Sequence, residues 1–228
     1  MDILNALKRP FTNIKNLVIG LVVSYIPILN IITLGYFVRC ARSTMHGKNT
    51  LPDWIGIKDL LKDMLSAFFI SLSYLIIPIG ILLFLNFNLE NFDQLLGMLL
   101  TFSIRDLISA LSTLEPLYPV LFLLWGLLTV LASLLIPISI MRFIEFGRID
   151  KPFMIRVREV LKKAATSNYL IAFVLVFIGS AILRWIFSFV PFVGSAISSF
   201  LIGVISFTIF AQVYLKLRQK EQVSSGAV

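Results

Sequence analysis

Hydrophobic and polar positions alternate in blocks along this chain rather than residue by residue, and the blocks set out a series of helices. Apolar runs cover Leu17–Val38, Ser66–Asn86, Leu117–Arg142, Tyr169–Phe189 and Ser195–Leu215. Each has about the twenty residues that an α-helix needs to cross a bilayer core of roughly 30 Å. Between the first two runs lies Thr50–Leu65, too polar to cross. As a helix it places Trp54, Ile57, Leu61, Met64 and Leu65 on one face and Lys58, Asp59, Lys62 and Asp63 on the other. That pattern predicts a helix lying in the membrane surface, its lysines at the headgroups. Residues 150–165 repeat the pattern. Residues 103–114 predict a further surface helix, with Ser103 and Asp106 at capping-box spacing.

The first run is interrupted by Pro27-Ile-Leu-Asn30, which leaves two readings. One is a kinked spanning helix. The other is a hairpin of two short helices that returns to its side of entry, with its backbone buried in protein. Charge favours the hairpin. Residues 39–62 hold five Lys/Arg and residues 142–163 hold seven, whereas 86–116 holds Arg105 against four acids. Positive charge collects on the cytoplasmic side, so the two basic loops and the C-terminus are expected inside and the acidic connection outside. A simple first span would put Lys8, Arg9 and Lys15 outside, against that rule. No small-x-small cleavage site follows the run, so it is read as retained.

At an offset of one hundred residues, Arg42, Gly47, Pro52, Ile55, Leu61, Lys62 and Leu75 match Arg142, Gly147, Pro152, Ile155, Leu161, Lys162 and Leu175. Basic loops recurring on one side make the halves parallel. The expected architecture is all-α: a polytopic helical membrane protein with two parallel pseudo-repeats and interfacial amphipathic helices. It forms a single membrane domain over 1–228. Repeat 1 covers about 17–86, an external connection 87–116, repeat 2 about 117–189 and a last span 195–215, with a disordered tail at 223–228.

Composition agrees. The chain is 58% hydrophobic and 14% charged, so it lacks the polar surface of a soluble domain its size. A net charge of +8 has no basic soluble domain to carry it, so nucleic acid is not an expected partner and anionic lipid headgroups are. Cys40 is the sole cysteine and His46 the sole histidine. Neither has neighbours at ligand spacing, so no metal, no cofactor and no catalytic residues are expected, and the chain reads as non-enzymatic. Candidate headgroup contacts are Lys58, Lys62, Arg156, Arg158, Lys162 and Lys163, with Trp54 and Phe153 as interfacial anchors. Asn30 and Arg184 are the candidates for an intramembrane polar site, since a polar or charged group inside a span is functional by default. Arg184 could also snorkel outward past Pro191. Ser195, Ser199 and Gly203 form a small-residue stripe suited to helix packing; a homo-oligomer or a protein partner stays open.

The stretches LGYFVRCAR (34–42), GKNTLPDW (47–54) and LLKDMLSAFFISLSYLIIP (60–78) resemble a family of archaeal and bacterial integral membrane proteins. That family is called domain of unknown function 4013. Ala6–Phe11 and Pro27–Asn30 also fit its pattern. The ending Val213–Arg218 is similar to the close of membrane domains found beside some glycerophosphodiester phosphodiesterases. Neither resemblance brings catalytic residues with it. The function expected is a non-enzymatic membrane protein that organises or senses the membrane, or scaffolds partners, through its basic helices. The alternative is a small transporter or channel with a path between the repeats.

Overall fold

The computed structural model describes residues 2–88, 97, 109, 117–147, 164–191 and 193–225, and they are helical with short connections. A short α1 (Ile3–Lys8), capped by the Asp2 carboxylate on the Asn5 amide, leads through a 3-10 turn at Arg9–Thr12. Next come α2 (Ile14–Tyr25), α3 (Pro27–Met45), α4 (Ile57–Asn88), α5 (Leu117–Phe146), α6 (Ser167–Phe187) and α7 (Gly194–Ser225). Four helices are long and apolar enough to cross a membrane: Ile57–Asn88, Leu117–Phe146, Ser167–Phe187 and Gly194–Gln219. The protein is therefore an all-helical, multi-pass membrane protein. The segments 103–114 and 150–163, expected as surface helices, lie outside the described residues. Helix α7 continues as far as Ser225, into the stretch expected to be disordered.

The first apolar run is a helical hairpin. It breaks at Ile26, whose φ of −87° and ψ of 113° are extended, and Pro27 opens α3, where its missing N–H costs nothing. Bonds from Asn16 to Pro52 and from Arg9 to Thr44 and Thr50 hold the start of α2 beside the end of α3. Helix α2 is apolar outside and polar inside. Ile14, Val18 and Val22 are exposed at a spacing of four, while Asn16, Gly20 and Ser24 are buried at the same spacing. Only a hydrocarbon solvent makes that arrangement favourable.

The chain divides into two compact units, Met1–Ile70 with Leu135–Val228, and Ser71–Leu134. In the first, α7 is the central helix: 67% of its apolar window is buried, against 6% for α6. It takes the Phe200 ring against Gly20 of α2 and the Phe37 ring against Gly203, each too close for a Cβ in place of the glycine hydrogen. Of the predicted small-residue stripe, Gly203 alone is buried; Ser195 and Ser199 are exposed. Tyr36, Cys40, Leu51, Leu60, Phe200 and Val204 complete the core. The second unit holds the later turns of α4 and the earlier turns of α5, with Leu85, Phe122 and Ala132 buried. There Phe122 and Trp125 pack ring on ring at 5.5 Å.

Residues 50–56 depart from the expected surface helix. Thr50 and Asp53, which look like a capping pair, are used otherwise: the Thr50 carbonyl accepts from Arg9 and the Asp53 carboxylate from Asn16. Gly56 takes a φ of 79°, and α4 starts at Ile57 and continues without interruption to Asn88. The basic, amphipathic residues are thus the opening turns of a long apolar helix. Of the four prolines in apolar runs, Pro78 and Pro137 lie inside α4 and α5, and Pro191 lies in the turn between α6 and α7.

Candidate functional site

The loop after α3 folds back over that helix and encloses a recess of about 400 Å³, lined by Arg39, Arg42, His46, Lys48 and Asp53 among others. Two of the residues in its wall, Lys48 and Thr50, are bonded through their carbonyls to Arg9, which is only 1% exposed. Arg9 Nη1 donates to Thr208 Oγ1 at 2.9 Å and to Thr44 Oγ1. Its Nη2 donates to the carbonyl oxygens of Lys48 at 3.4 Å and Thr50 at 3.3 Å. Each threonine hydroxyl gives its own hydrogen to a carbonyl one turn back, Cys40 and Val204, leaving lone pairs for the guanidinium. Among the described residues no carboxylate bonds to Arg9. Burial lowers its pKa from the usual value, opposed by Cys40 and Tyr36 nearby, yet a guanidinium stays charged in a protein. One cation, solvated by neutral oxygens, thereby joins the N-terminal turn, α3, the loop and α7.

The loop itself is held by its backbone oxygens. Arg39 Nη1 donates to the carbonyls of Asp53 at 3.0 Å and Ile55, and Nη2 to Gly56 at 3.3 Å. Tyr36 donates to the Pro52 carbonyl at 2.9 Å and stacks flat on Trp54, ring centres 4.0 Å apart. The Trp54 indole N–H reaches the Asn16 carbonyl at 3.0 Å, and Leu51 N donates to Thr12 Oγ1 at 3.1 Å. Along α3, Arg39, Arg42 and His46 fall at i, i+3 and i+7, one helical stripe. Arg42 is paired with Asp63 of α4, and His46 Nδ1 donates to the Arg42 carbonyl at 2.7 Å. Lys48 is exposed, with no side-chain partner among the described residues. The recess therefore combines an exposed Lys48 ammonium with two arginines already bonded to loop carbonyls and to Asp63, and with the Asp53 carboxylate in its wall.

A family model described as "Protein of unknown function (DUF4013)" matches residues 18–192. The chain belongs to this family. The DUF4013 match takes in most of the hairpin, the recess, α4, α5 and α6, and leaves Arg9, the first turn of α2 and all of α7 outside it. No curated protein and no solved structure matches the chain.

The residues singled out in the sequence are distributed as follows. Lys58 and Lys62 are exposed on the opening turns of α4, next to exposed Ile57, Leu61 and Leu65. Asp63, assigned to the same polar face, is instead buried against Arg42. Trp54 is half-buried on Tyr36. Phe153, Arg156, Arg158, Lys162 and Lys163 lie outside the described residues. Asn30 is exposed in the first turn of α3, where its Oδ1 accepts from Thr33 at 3.1 Å, and no bond joins it to Arg184. Among the described residues no group of three His, Cys, Asp or Glu side chains is placed to hold a metal. Sequence reasoning missed Arg9, Arg39, Arg42 and Lys48 as a cluster. The i, i+3, i+7 spacing of Arg39, Arg42 and His46 was the available signal.

Proposed function

We propose that this protein is a non-enzymatic membrane protein that binds acidic phospholipid headgroups on its cytoplasmic face and thereby organises or senses one leaflet. The observation that carries the reading is the recess lined by Arg39, Arg42, His46 and Lys48, set beside Lys58 and Lys62 on α4. Each such cation near an anionic surface contributes about 1 kcal/mol. Exposed Ile57, Leu61 and Leu65 on the same turns support a position for the lysines where acyl chains meet headgroups. In the sequence, the repeat adds Arg156, Arg158, Lys162 and Lys163 at positions outside the described residues. In support of a duplicated unit, Gly47 and Gly147 follow the ends of α3 and α5 with φ of 75° and 65°. The Phe200 and Phe37 rings that fill the space at Gly20 and Gly203 favour a packed body over a transport path.

The test replaces Lys58, Lys62, Arg156, Arg158, Lys162 and Lys163 together by Gln and counts retained phosphatidylglycerol by native mass spectrometry. The reading expects several acidic lipids on the parent and fewer on the variant at equal folded yield. Equal retention overturns it.

A further inference from the structure

A second recess lies among α5, α6 and α7 in the apolar body. It measures about 420 Å³, within the usual range of small-molecule sites, and is walled by Pro137 of α5, Phe173, Phe177 and Ser180 of α6, and Phe210 of α7. Arg184 is the single charged residue in its wall. Side chains on a helix lean towards its N-terminus, which carries the Arg184 stem back towards Ser180 and Phe177 rather than out to the turn at 188–193. No side-chain partner for Arg184 is present among the described residues. Phe173 and Arg184 are eleven residues apart, roughly 16 Å along the helix, which is half of a ~30 Å hydrocarbon core and so the reach of one leaflet's chain.

We infer that this groove holds one acidic phospholipid of the leaflet on the side of the 188–193 turn. Its phosphate pairs with Arg184 and one acyl chain lies along Phe177, Phe173 and Phe210. A cation without a partner on an apolar helix is disfavoured in lipid, and an anion brought to it offsets that cost. Charge complementarity thus selects the occupant: a wholly apolar groove would take any acyl chain, and this one carries a cation near the end of its helix. A phospholipid fits better than a free fatty acid because Arg184 lies one turn from the helix end, close to the level of lipid phosphates. The Arg184 end of the groove is separate from the basic recess, whose Thr208 level is fourteen residues, roughly 20 Å, along α7 from the turn; Phe210 closes the opposite end of the groove.

The experiment is a titration of the delipidated full-length protein, followed by native mass spectrometry. The probes are phosphatidylglycerol, phosphatidylcholine with the same chains, and the free fatty acid. We expect one tight phosphatidylglycerol, weakened roughly tenfold or more by Arg184→Gln, the loss of one charge-assisted contact. Phe177→Trp, which narrows the groove and keeps the charge, also weakens it. The six-fold Gln variant on the basic face retains it, so failure here and failure of the headgroup reading are distinguishable. Equal binding by Arg184→Gln, or phosphatidylcholine binding as tightly as phosphatidylglycerol, overturns the inference. Fatty acid taken up in preference to phosphatidylglycerol overturns the assignment to a phospholipid.

Discussion

Arg42 and Asp63 meet as a two-pronged pair: Nη1 lies 2.7 Å from Oδ2 and Nη2 lies 2.7 Å from Oδ1. The carboxylate is buried and the guanidinium is about one-third exposed. Arg42→Met would leave Asp63 buried without its cation. The expected loss is roughly 2 kcal/mol, less than the 3–5 kcal/mol of fully buried pairs because water reaches the arginine side. Thermal unfolding in detergent reads it, and an unchanged midpoint would show the pair to be incidental.

The residue one hundred positions on gives the opposite expectation. Arg142 is 8% exposed, and among the described residues its Nε and Nη1 have no hydrogen-bond partner. At the place corresponding to Asp63 the chain has Lys163. Replacing an unpaired buried cation by an apolar side chain of similar length is neutral or stabilising. Arg142→Met should therefore hold or raise the melting midpoint while Arg42→Met lowers it. A fall of equal size in both variants rejects the asymmetry.

Arg9→Lys tests the clasp under the recess. A single ammonium cannot reach Thr44, Thr208 and two loop carbonyls in the forked geometry of the guanidinium. The loss is expected at about 1–3 kcal/mol, with faster proteolysis within residues 46–56. Parental stability and protease resistance would mean that the loop is held without Arg9.

Close approach of backbones makes a third contrast. A Cβ at Gly35 would sit 2.2 Å from the Leu60 carbonyl oxygen, whereas Gly80 and Gly126 have nothing within 4 Å. Gly35→Ala must push α4 away from α3 and should cost roughly 1–3 kcal/mol, the range for overpacking. Gly80→Ala and Gly126→Ala should leave stability within about 0.5 kcal/mol of the parent or above it. Equal melting shifts at all three positions would contradict the packing described.

Trp54→Phe keeps a ring on Tyr36 and removes the indole N–H that bonds Asn16. About 1 kcal/mol is expected to go, the net worth of one such bond, whereas Trp54→Ala should lose the stack as well and cost more. The difference between the two variants measures the ring contact.

The helices were legible because apolar runs of twenty residues have few other homes, and the hairpin because Pro27 and the flanking positive charges argue together. The site was less so. Arg9 stands before a proline in a polar stretch and looks like a surface cation; the hydroxyl that buries it, Thr208, is 199 residues away. Trp54 fits an amphipathic helix by periodicity, yet its partner Tyr36 is reached only because an aperiodic loop turns back over α3. Asp63 shares the polar face of Lys62 in any helical projection, and only the position of Arg42 turns it inward. Periodicity finds which residues avoid water; it does not say which polar residues find one another.

The Asp2 amide donates to Gln212, Arg9 to Thr208, and Phe37 packs on Gly203. Helices made early in synthesis therefore have their partners on one made much later. At about 5–20 residues per second, the hairpin waits roughly ten to thirty seconds between its own emergence and that of Phe200 and Thr208. Throughout that interval Gly20 and the Arg9 guanidinium have no α7 to pack against. The newborn chain thus carries an unfinished seam for most of its assembly.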